Sequence, residues 1–539
     1  MGTTNQLEAP VEFSEVAPKN SNPPTPNFKD YLWRDKNNRR ILIVAFILIF
    51  IQFGIFKFFY PNAGFIDGDS YVYLDTAFWN KGINTYMVGY SMFLRLFSVF
   101  STSDFVLVAF QYLFIELSAI LILFTIFYFL KPSKWVKILL LFFIVINPLF
   151  LYMANYVSSD AYFLGLSLIW FTLLLWLINK PSTKLIIYSS IVLFICFTAR
   201  YNALLYPFIF VISLYFTNIK LKLKLFGISM VILFIGAFIL YNGNKYKELT
   251  GKWQYSPFSG WQLANNAMYA YRYVDSADRK PVAKKFELLD KMIRNYFDTS
   301  RNPFTHPENL LKASTVYMWT RTSTLYKYRD MQFRHDSTAT ELKKWSSMGP
   351  FYSEYGIYII SKYPLHFLEY FIWPNTCKYY APPVEFLENY NSGEDSVKLG
   401  AIQWFGYKNS KMHVRVKNLK VNMLDYYPIL TGTINVVYLL GLLCLISLGF
   451  FKHRTTLRNS ILLVTIFWLG NAFFTIFSSS AALRFQAFPI ILVTLFALLV
   501  IDLMYRTALK QEEDRKRLSP ANPRNELGID STEMSPVEN

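Results

Sequence analysis

The sequence predicts an all-α polytopic membrane protein with about ten transmembrane helices and a mostly helical extracytoplasmic domain. Three observations carry that prediction. Only 17% of the 539 residues are charged and 53% are hydrophobic, whereas soluble globular chains carry about a quarter charged residues. The apolar residues fall in long blocks rather than short alternating runs. A hydrocarbon core of ~30 Å needs about 20 such residues in a helix, and ten blocks approach that length. An ordinary soluble enzyme, a disordered chain and a disulfide-stapled secreted domain are thereby excluded. The three cysteines, Cys196, Cys377 and Cys444, cannot make a disulfide framework.

The blocks lie at 41–60, 105–130, 135–151, 161–178, 185–199, 203–217, 225–241, 427–450, 459–477 and 485–506. The fifth and sixth are short, roughly 22 Å of helix at ~1.5 Å per residue. They either thin the bilayer or form a re-entrant pair. Lys and Arg in the connections set the orientation. Arg34, Lys36, Arg39 and Arg40 precede the first block. Lys131/Lys134/Lys137, Lys180/Lys184, Lys220/Lys222/Lys224, Lys452/Arg454/Arg458 and the C-terminal basic residues then fall on that same side. The pattern predicts a cytoplasmic N-terminus and assigns much of the +18 net charge to topology, with no nucleic-acid partner.

Domain organisation follows. Residues 1–40 and 507–539 read as disordered cytoplasmic tails. Residues 41–241 form a transmembrane module whose first outer loop is 61–104, residues 242–426 an extracytoplasmic domain, and 427–506 the C-terminal transmembrane helices. The outer domain is rich in Tyr and Trp, has helix-like stretches near 261–274, 281–297, 308–330 and 339–346, and includes a semi-amphipathic stretch, 355–373, suited to a membrane surface. The outer segments lack Asn-x-Ser/Thr acceptors, which fits a bacterial inner (cytoplasmic) membrane.

The unusual polar residues sort to the outer side: Asp67-Gly68-Asp69-Ser70, then Asn155 to Asp160, then Arg200 between the two short blocks, and Arg484 before the last span. Charge near hydrocarbon is costly and usually marks function. In an extended segment Asp67 and Asp69 project to one face. They can hold a divalent cation such as Mg or Mn, or one can accept a proton from an attacking hydroxyl. The competing reading makes Asp69 or Ser70 a helix N-cap and Gly68 a turn residue. Arg200 and Arg484 offer donor forks matched to phosphate, or they are anchors in the headgroup layer. Asp160 opens the fourth span and is equally suited to cap it. Glu116 is the one clear ionisable group inside a span. In the outer domain, Trp261 and Tyr269 lie among aromatics and amides that suit a sugar; the alternative packs these rings into that domain's core or an interfacial belt.

Together these stretches resemble the GT-C superfamily of membrane glycosyltransferases, in the bacterial branch that includes protein O-mannosyltransferases and lipid-A aminoarabinose transferases. The segment Phe65-Ile66-Asp67-Gly68-Asp69-Ser70-Tyr71-Val72-Tyr73-Leu74, followed by Val88-Gly89-Tyr90-Ser91-Met92-Phe93-Leu94, is similar to that family's acidic motif and surface helix. Asn147-Pro148 with Ser158-Ser159-Asp160-Ala161, Thr198-Ala199-Arg200-Tyr201-Asn202, and Leu483-Arg484-Phe485-Gln486-Ala487-Phe488-Pro489 match its later motifs. The resemblance covers roughly residues 40–240 and 427–506. Asp-Gly-Asp stands where the family has Asp-Glu, so either aspartate can be the base and metal dependence stays open.

The resemblance implies an inverting transferase that moves a sugar from a polyprenyl-phosphate donor to a glycan, lipid or protein hydroxyl on the extracytoplasmic face. Asp67, Asp69 and Asp160 are then the catalytic acids, Arg200 and Arg484 the donor-phosphate ligands, and Tyr73, Tyr90, Trp261 and Tyr269 the sugar or acceptor contacts. Two other activities share the topology. A lipid-linked oligosaccharide ligase or polymerase would not need the first-loop acids. A lipid or glycan transporter would need ionisable groups along the membrane interior, where Glu116 stands alone.

Overall fold

Long runs of Leu, Ile and Phe fold as helices because hydrocarbon offers no other partner for backbone N–H and C=O groups. Each of the ten apolar blocks is helical in the computed structural model, which describes residues 26–300, 304–306, 310–416, 418–452 and 455–518. Among the described residues there is no β-strand, only three isolated bridges. Eight helices there are long and apolar enough to cross a membrane, so the protein is an all-α polytopic membrane protein.

The first span is α1 (Lys36–Phe59). The following loop carries two short helices, α2 (Asp69–Phe78) and α3 (Gly89–Ser98). After α4 (Asp104–Leu130), the third span is broken into α5 (Lys134–Val145) and α6 (Pro148–Asn155). The break has a local cause. Pro148 cannot donate to the preceding turn, and the Asn147 side chain caps α6 by accepting from Leu149 N at 3.1 Å. Next come α7 (Ser159–Asn179) and the two short apolar helices, α8 (Thr183–Ala199) and α9 (Tyr206–Tyr215). Neither reaches spanning length. They meet across Arg200, whose extended backbone (φ −152°, ψ 148°) turns the chain sharply. The 30-residue α10 (Leu221–Thr250) completes this half.

The polar 242–426 region contains α11 (Phe258–Tyr271), α12 (Glu287–Thr299), α13 (Glu341–Lys362) and α14 (Trp373–Tyr380). A separate core builds up where α11 crosses α13. Their backbones approach so closely that a Cβ on Gly260 would lie 1.8 Å from the Gly349 carbonyl oxygen. Helix α13 and its continuation to Tyr380 cover the 355–373 stretch; Leu365, Leu368 and Trp373 are exposed there. Side chains between Val384 and Leu424 instead join the core of the membrane module. The chain then returns through α15 (Tyr427–Ser447), α16 (Thr456–Ser478) and α17 (Leu483–Leu518).

Both tails are shorter than the sequence suggests. Residues 28–33 and 36–40 are helical, because Asp35 caps α1 by accepting from Asn38 N at 2.8 Å and Phe28 packs edge-on against Tyr128 and Trp176. Residues 507–518 continue α17. The remaining tail residues, 1–25 and 519–539, lie outside the described residues.

Two sets of bonds draw the first loop toward the bundle. Gly64 pairs with the 155–157 segment (Gly64 N to Asn155 O, 2.8 Å; Val157 N to Gly64 O, 3.0 Å). Phe65 N donates to Asn391 Oδ1 at 3.0 Å, and Asp67 N to Ser392 Oγ at 3.0 Å. Asp104, at the start of α4, accepts from Ala63 N at 2.9 Å and from the Tyr407 hydroxyl at 2.8 Å.

Candidate functional site

Gly68 holds φ +84°, a conformation that glycine adopts without a Cβ penalty, and α2 starts directly after it. Asp69 therefore sits in the first helical turn, where the helix dipole favours a carboxylate. Its Oδ1 accepts from the Tyr86 hydroxyl at 2.7 Å and its Oδ2 from Arg484 Nη1 at 2.8 Å. Burial, reinforced by the adjacent Asp69 carboxylate, pushes the Tyr86 phenol well above its ordinary pKa, so it remains a donor.

Asp160 lies in the first turn of α7, whose N-cap is Ser158. The Ser158 hydroxyl donates to Asp160 Oδ2 at 2.9 Å. Arg200 forms an ion pair with Asp160 Oδ1, and Arg484 Nη1 reaches Asp160 Oδ2 at 3.2 Å. One guanidinium nitrogen thus joins Asp69 to Asp160. Arg200 Nη1 also donates to Ser159 Oγ at 3.2 Å, and Ser159 Oγ lies 2.8 Å from the Tyr73 hydroxyl. Two carboxylates and two guanidiniums balance in formal charge. Asp160 and Arg484 side chains are 3% and 5% exposed, and buried ions are tolerable only when paired in this way.

The Arg484 guanidinium lies over the neighbouring rings of Phe386 and Phe485, 4.6 Å and 4.5 Å from their centroids, which are 6.1 Å apart. Its Nε is buried and has no acceptor among the described residues. Beside the network, Asp160, Arg200, Asn202 and Arg484 form one end of a narrow cleft with about 20 Å³ of open space, and Met153, Phe163, Leu164, Phe467, Phe488 and Pro489 line the rest. The polar, cationic end and apolar continuation match the chemistry of a ligand that carries an anionic group on a hydrocarbon body, which needs a wider opening than this structure holds.

Of the residues singled out in the sequence, Asp69, Asp160, Arg200 and Arg484 come together, and Tyr73 touches them through Ser159. Tyr90 is one layer behind: it is fully buried, its ring packs 5.1 Å from that of Tyr73, and its hydroxyl donates to Gln111 Oε1 at 2.8 Å. Asp67 stands apart. Its side chain is 63% exposed and ion-paired with Lys398. The extended geometry expected for Asp67 and Asp69 fails because Gly68 turns the chain and α2 begins. The two carboxylates consequently take different cationic partners. Among the described residues no group of three or more His, Cys, Asp or Glu is placed to hold a metal ion.

Trp261 and Tyr269 are core residues of the 242–426 region. Trp261 is fully buried, stacks on Trp345 at 5.5 Å and 7°, and donates through Nε1 to Trp345 O at 2.8 Å. Tyr269 is 2% exposed and packs 4.9 Å from Tyr317. Their faces are covered by protein, as the core reading expects, and offer no surface to a sugar.

The sequence alone did not single out Tyr86, Ser159, Phe386 or Phe485 as site residues. Tyr86 lies between the two resembling stretches of the first loop, and Phe485 follows Arg484 directly. Phe386 carries no local signal: it reaches Arg484 because it adopts φ +72°, which is rare for an aromatic residue, just beyond Pro382-Pro383. Comparisons with protein-family models, curated proteins and solved structures return no match.

Proposed function

We propose that the protein is a membrane glycosyltransferase of GT-C type. It would transfer a sugar from a polyprenyl-phosphate donor to an acceptor hydroxyl on the extracytoplasmic face, with inversion at the anomeric carbon. The observation that carries this reading is the placement of Arg484: it bridges Asp69 and Asp160, keeps one buried donor unpaired, and closes the polar end of an apolar cleft. The resemblance of four separated motifs supports it independently.

In this reading the surrounding helices part to admit the phosphate-proximal end of the prenyl chain along the apolar side of the cleft, and the donor phosphate meets Arg484 and Arg200. Phosphate oxygens take up guanidinium donors that Asp69 engages in the free protein. This releases the Asp69 carboxylate to accept the proton of the acceptor hydroxyl. The acceptor oxygen then forms its bond to the anomeric carbon as the bond from that carbon to the phosphate oxygen breaks. The bonding pair leaves on the phosphate, whose added charge the two guanidiniums neutralise. Asp160 holds Arg200 in position throughout. Asp67, paired with Lys398 outside the network, takes no part in proton transfer.

Glu116 is buried in α4, with the Tyr112 side chain beside it one turn away. The deciding experiment is mass spectrometry of polyprenyl-phosphate sugars in cells carrying single substitutions. Asp69→Asn should accumulate the donor to the level of a deletion, and Asp67→Asn should not. Equal donor levels in Asp69→Asn and wild type would overturn the assignment.

A further inference from the structure

The polar 242–426 region sends one element back down the side of the helical bundle. Residues 364–380 form a continuous helix, with a π turn at Leu368–Ile372, that ends as α14. One side of it is committed to protein. Phe367 and Phe371 enter the core shared with α11 and α13. The Asn375 amide then reaches the carbonyls of Thr475, Ile476 and Ser479 at the end of α16. One turn later the Tyr379 hydroxyl lies 3.1 Å from Asn471 Oδ1 and 3.3 Å from Trp468 O. At ~1.5 Å per residue these last partners are about 10 and 15 Å inside the Ser478 end of α16. The neighbouring span gives the same depth. Asn435, about 12 Å along α15 from Tyr427, donates to Tyr380 O at 2.9 Å. Gly432 makes room for this contact, since a Cβ there would meet the Tyr380 ring at 3.1 Å. The chain returns to the rim at Pro383, whose carbonyl accepts from Leu483 N at 2.9 Å.

The opposite side of this helix is open among the described residues. Leu365 and Trp373 are 75% and 65% exposed, and Leu368, Cys377 and Tyr380 continue the stripe. The step of five residues from Leu368 to Trp373 would rotate the stripe off its face in a regular α-helix. The π turn absorbs the extra residue and keeps it in line. Charge follows depth along the same helix. Glu369 is exposed near its upper end. Beyond it the one Asp, Glu, Lys or Arg is Lys378, ion-paired with Glu385 at 3.2 Å and 3.3 Å from Ser480 Oγ, as a cation near hydrocarbon must be. Phe473 and Phe477 of α16 are exposed at the same levels. An open apolar stripe is a liability in water and favourable against lipid.

We infer that the 364–380 helix is a re-entrant element whose open stripe is seated among the acyl chains of the leaflet on the Arg484 side. Half of a hydrocarbon core is ~15 Å thick, so a helix that descends by about 10–15 Å enters that leaflet without crossing the bilayer. Every backbone group below the rim stays inside the helix or meets Asn435, which is what hydrocarbon demands. The 242–426 region is thereby anchored in lipid as well as by its connections to α10 and α15, whatever reaction the charged network performs.

The test is spin-label accessibility on the full chain in nanodiscs of phosphatidylcholine and phosphatidylglycerol. Collisions are measured with oxygen, which concentrates in hydrocarbon, and with a water-soluble nickel chelate. Cys444→Ser leaves Cys377 as the accessible thiol, since Cys196 is buried. A nitroxide on Cys377 should collide more with oxygen than with nickel. A nitroxide on Lys284→Cys, in a background of Cys377→Ser and Cys444→Ser, should do the reverse. Leu365→Cys and Tyr380→Cys in that background should show an oxygen preference that rises from 365 to 380. If Tyr380→Cys does not fold, Trp373→Cys takes its place. A nickel preference at Cys377 equal to that at Lys284→Cys overturns the lipid contact. Protection of Cys377 from both reagents also overturns it, because a second copy or another part of the chain then covers the stripe. An equal ratio from 365 to 380 overturns the descent into the leaflet.

Discussion

Arg484 Nη1 lies 2.8 Å from Asp69 Oδ2 and joins residues 415 positions apart in the chain. The same nitrogen reaches Asp160, so removing the guanidinium leaves Asp69 without a cation in a largely buried site and Asp160 with Arg200 alone. Arg484→Ala should lower stability by about 3–5 kcal/mol, the cost of leaving a buried charge unpaired. Thermal unfolding in detergent, compared with an exposed control such as Lys284→Ala, measures the effect. Arg484→Lys keeps the charge but cannot reproduce the fork between two acids. It should fold and lose roughly tenfold or more in turnover.

Asp67 and Asp69 are two residues apart and should behave oppositely. Removing a general base lowers rates by about 100-fold to 10,000-fold, so Asp69→Asn should lose turnover on that scale. Asp67→Asn breaks only an exposed pair with Lys398, and exposed pairs contribute little. Initial rates of donor consumption by purified protein give both values.

The Tyr86 phenol predicts an alkaline stability limb with a defined sign. Its folded pKa is raised by burial first and by Asp69 second, so the folded state holds its proton where the unfolded chain has released it. Its contribution is complete below about pH 10, the unfolded value, and is lost as the pH rises through the folded value. Thermal unfolding between pH 8 and 11 should fall less steeply in Tyr86→Phe than in wild type. Identical slopes would remove this role.

The crossing of α11 and α13 makes a steric prediction independent of function. Gly260→Ala places a Cβ against the Gly349 carbonyl and must force the helices apart, at about 1–3 kcal/mol. Gly236→Ala, in open space within α10, should leave the melting temperature unchanged.

Topology can be read by cysteine labelling in intact cells. Cys377 is exposed, so the background should be Cys377→Ser. An impermeant maleimide should label Asp67→Cys directly and Lys184→Cys only after the membrane is opened. Labelling of both in intact cells would overturn the orientation.

Much of the fold was legible because the bilayer leaves few options, and each apolar block is a helix; the break at Pro148 was not, because the third block reads as one apolar run. The gathering of Asp160, Arg200 and Arg484 was legible through sidedness, since all three follow or precede spans at the same end. The choice between Asp67 and Asp69 was not, because spacing assumes an extended chain and Gly68 turns it. Trp261 looked as suited to a sugar as to a core, since composition does not say which face of a ring is covered. Phe386 was beyond reach from sequence, because its contact with Arg484 depends on one backbone angle.

The division of the charged network along the chain sets an order of assembly. Asp69, Asp160 and Arg200 are synthesised early, and Arg484 opens the last helix. Until that helix inserts, a nascent chain carries an acidic group in its first loop with no arginine beside it, while Asp160 at the head of α7 is paired with Arg200 alone. Maturation of the bundle is therefore coupled to completion of translation. A product truncated after α16 would expose uncompensated charge, a defect that membrane quality control can recognise.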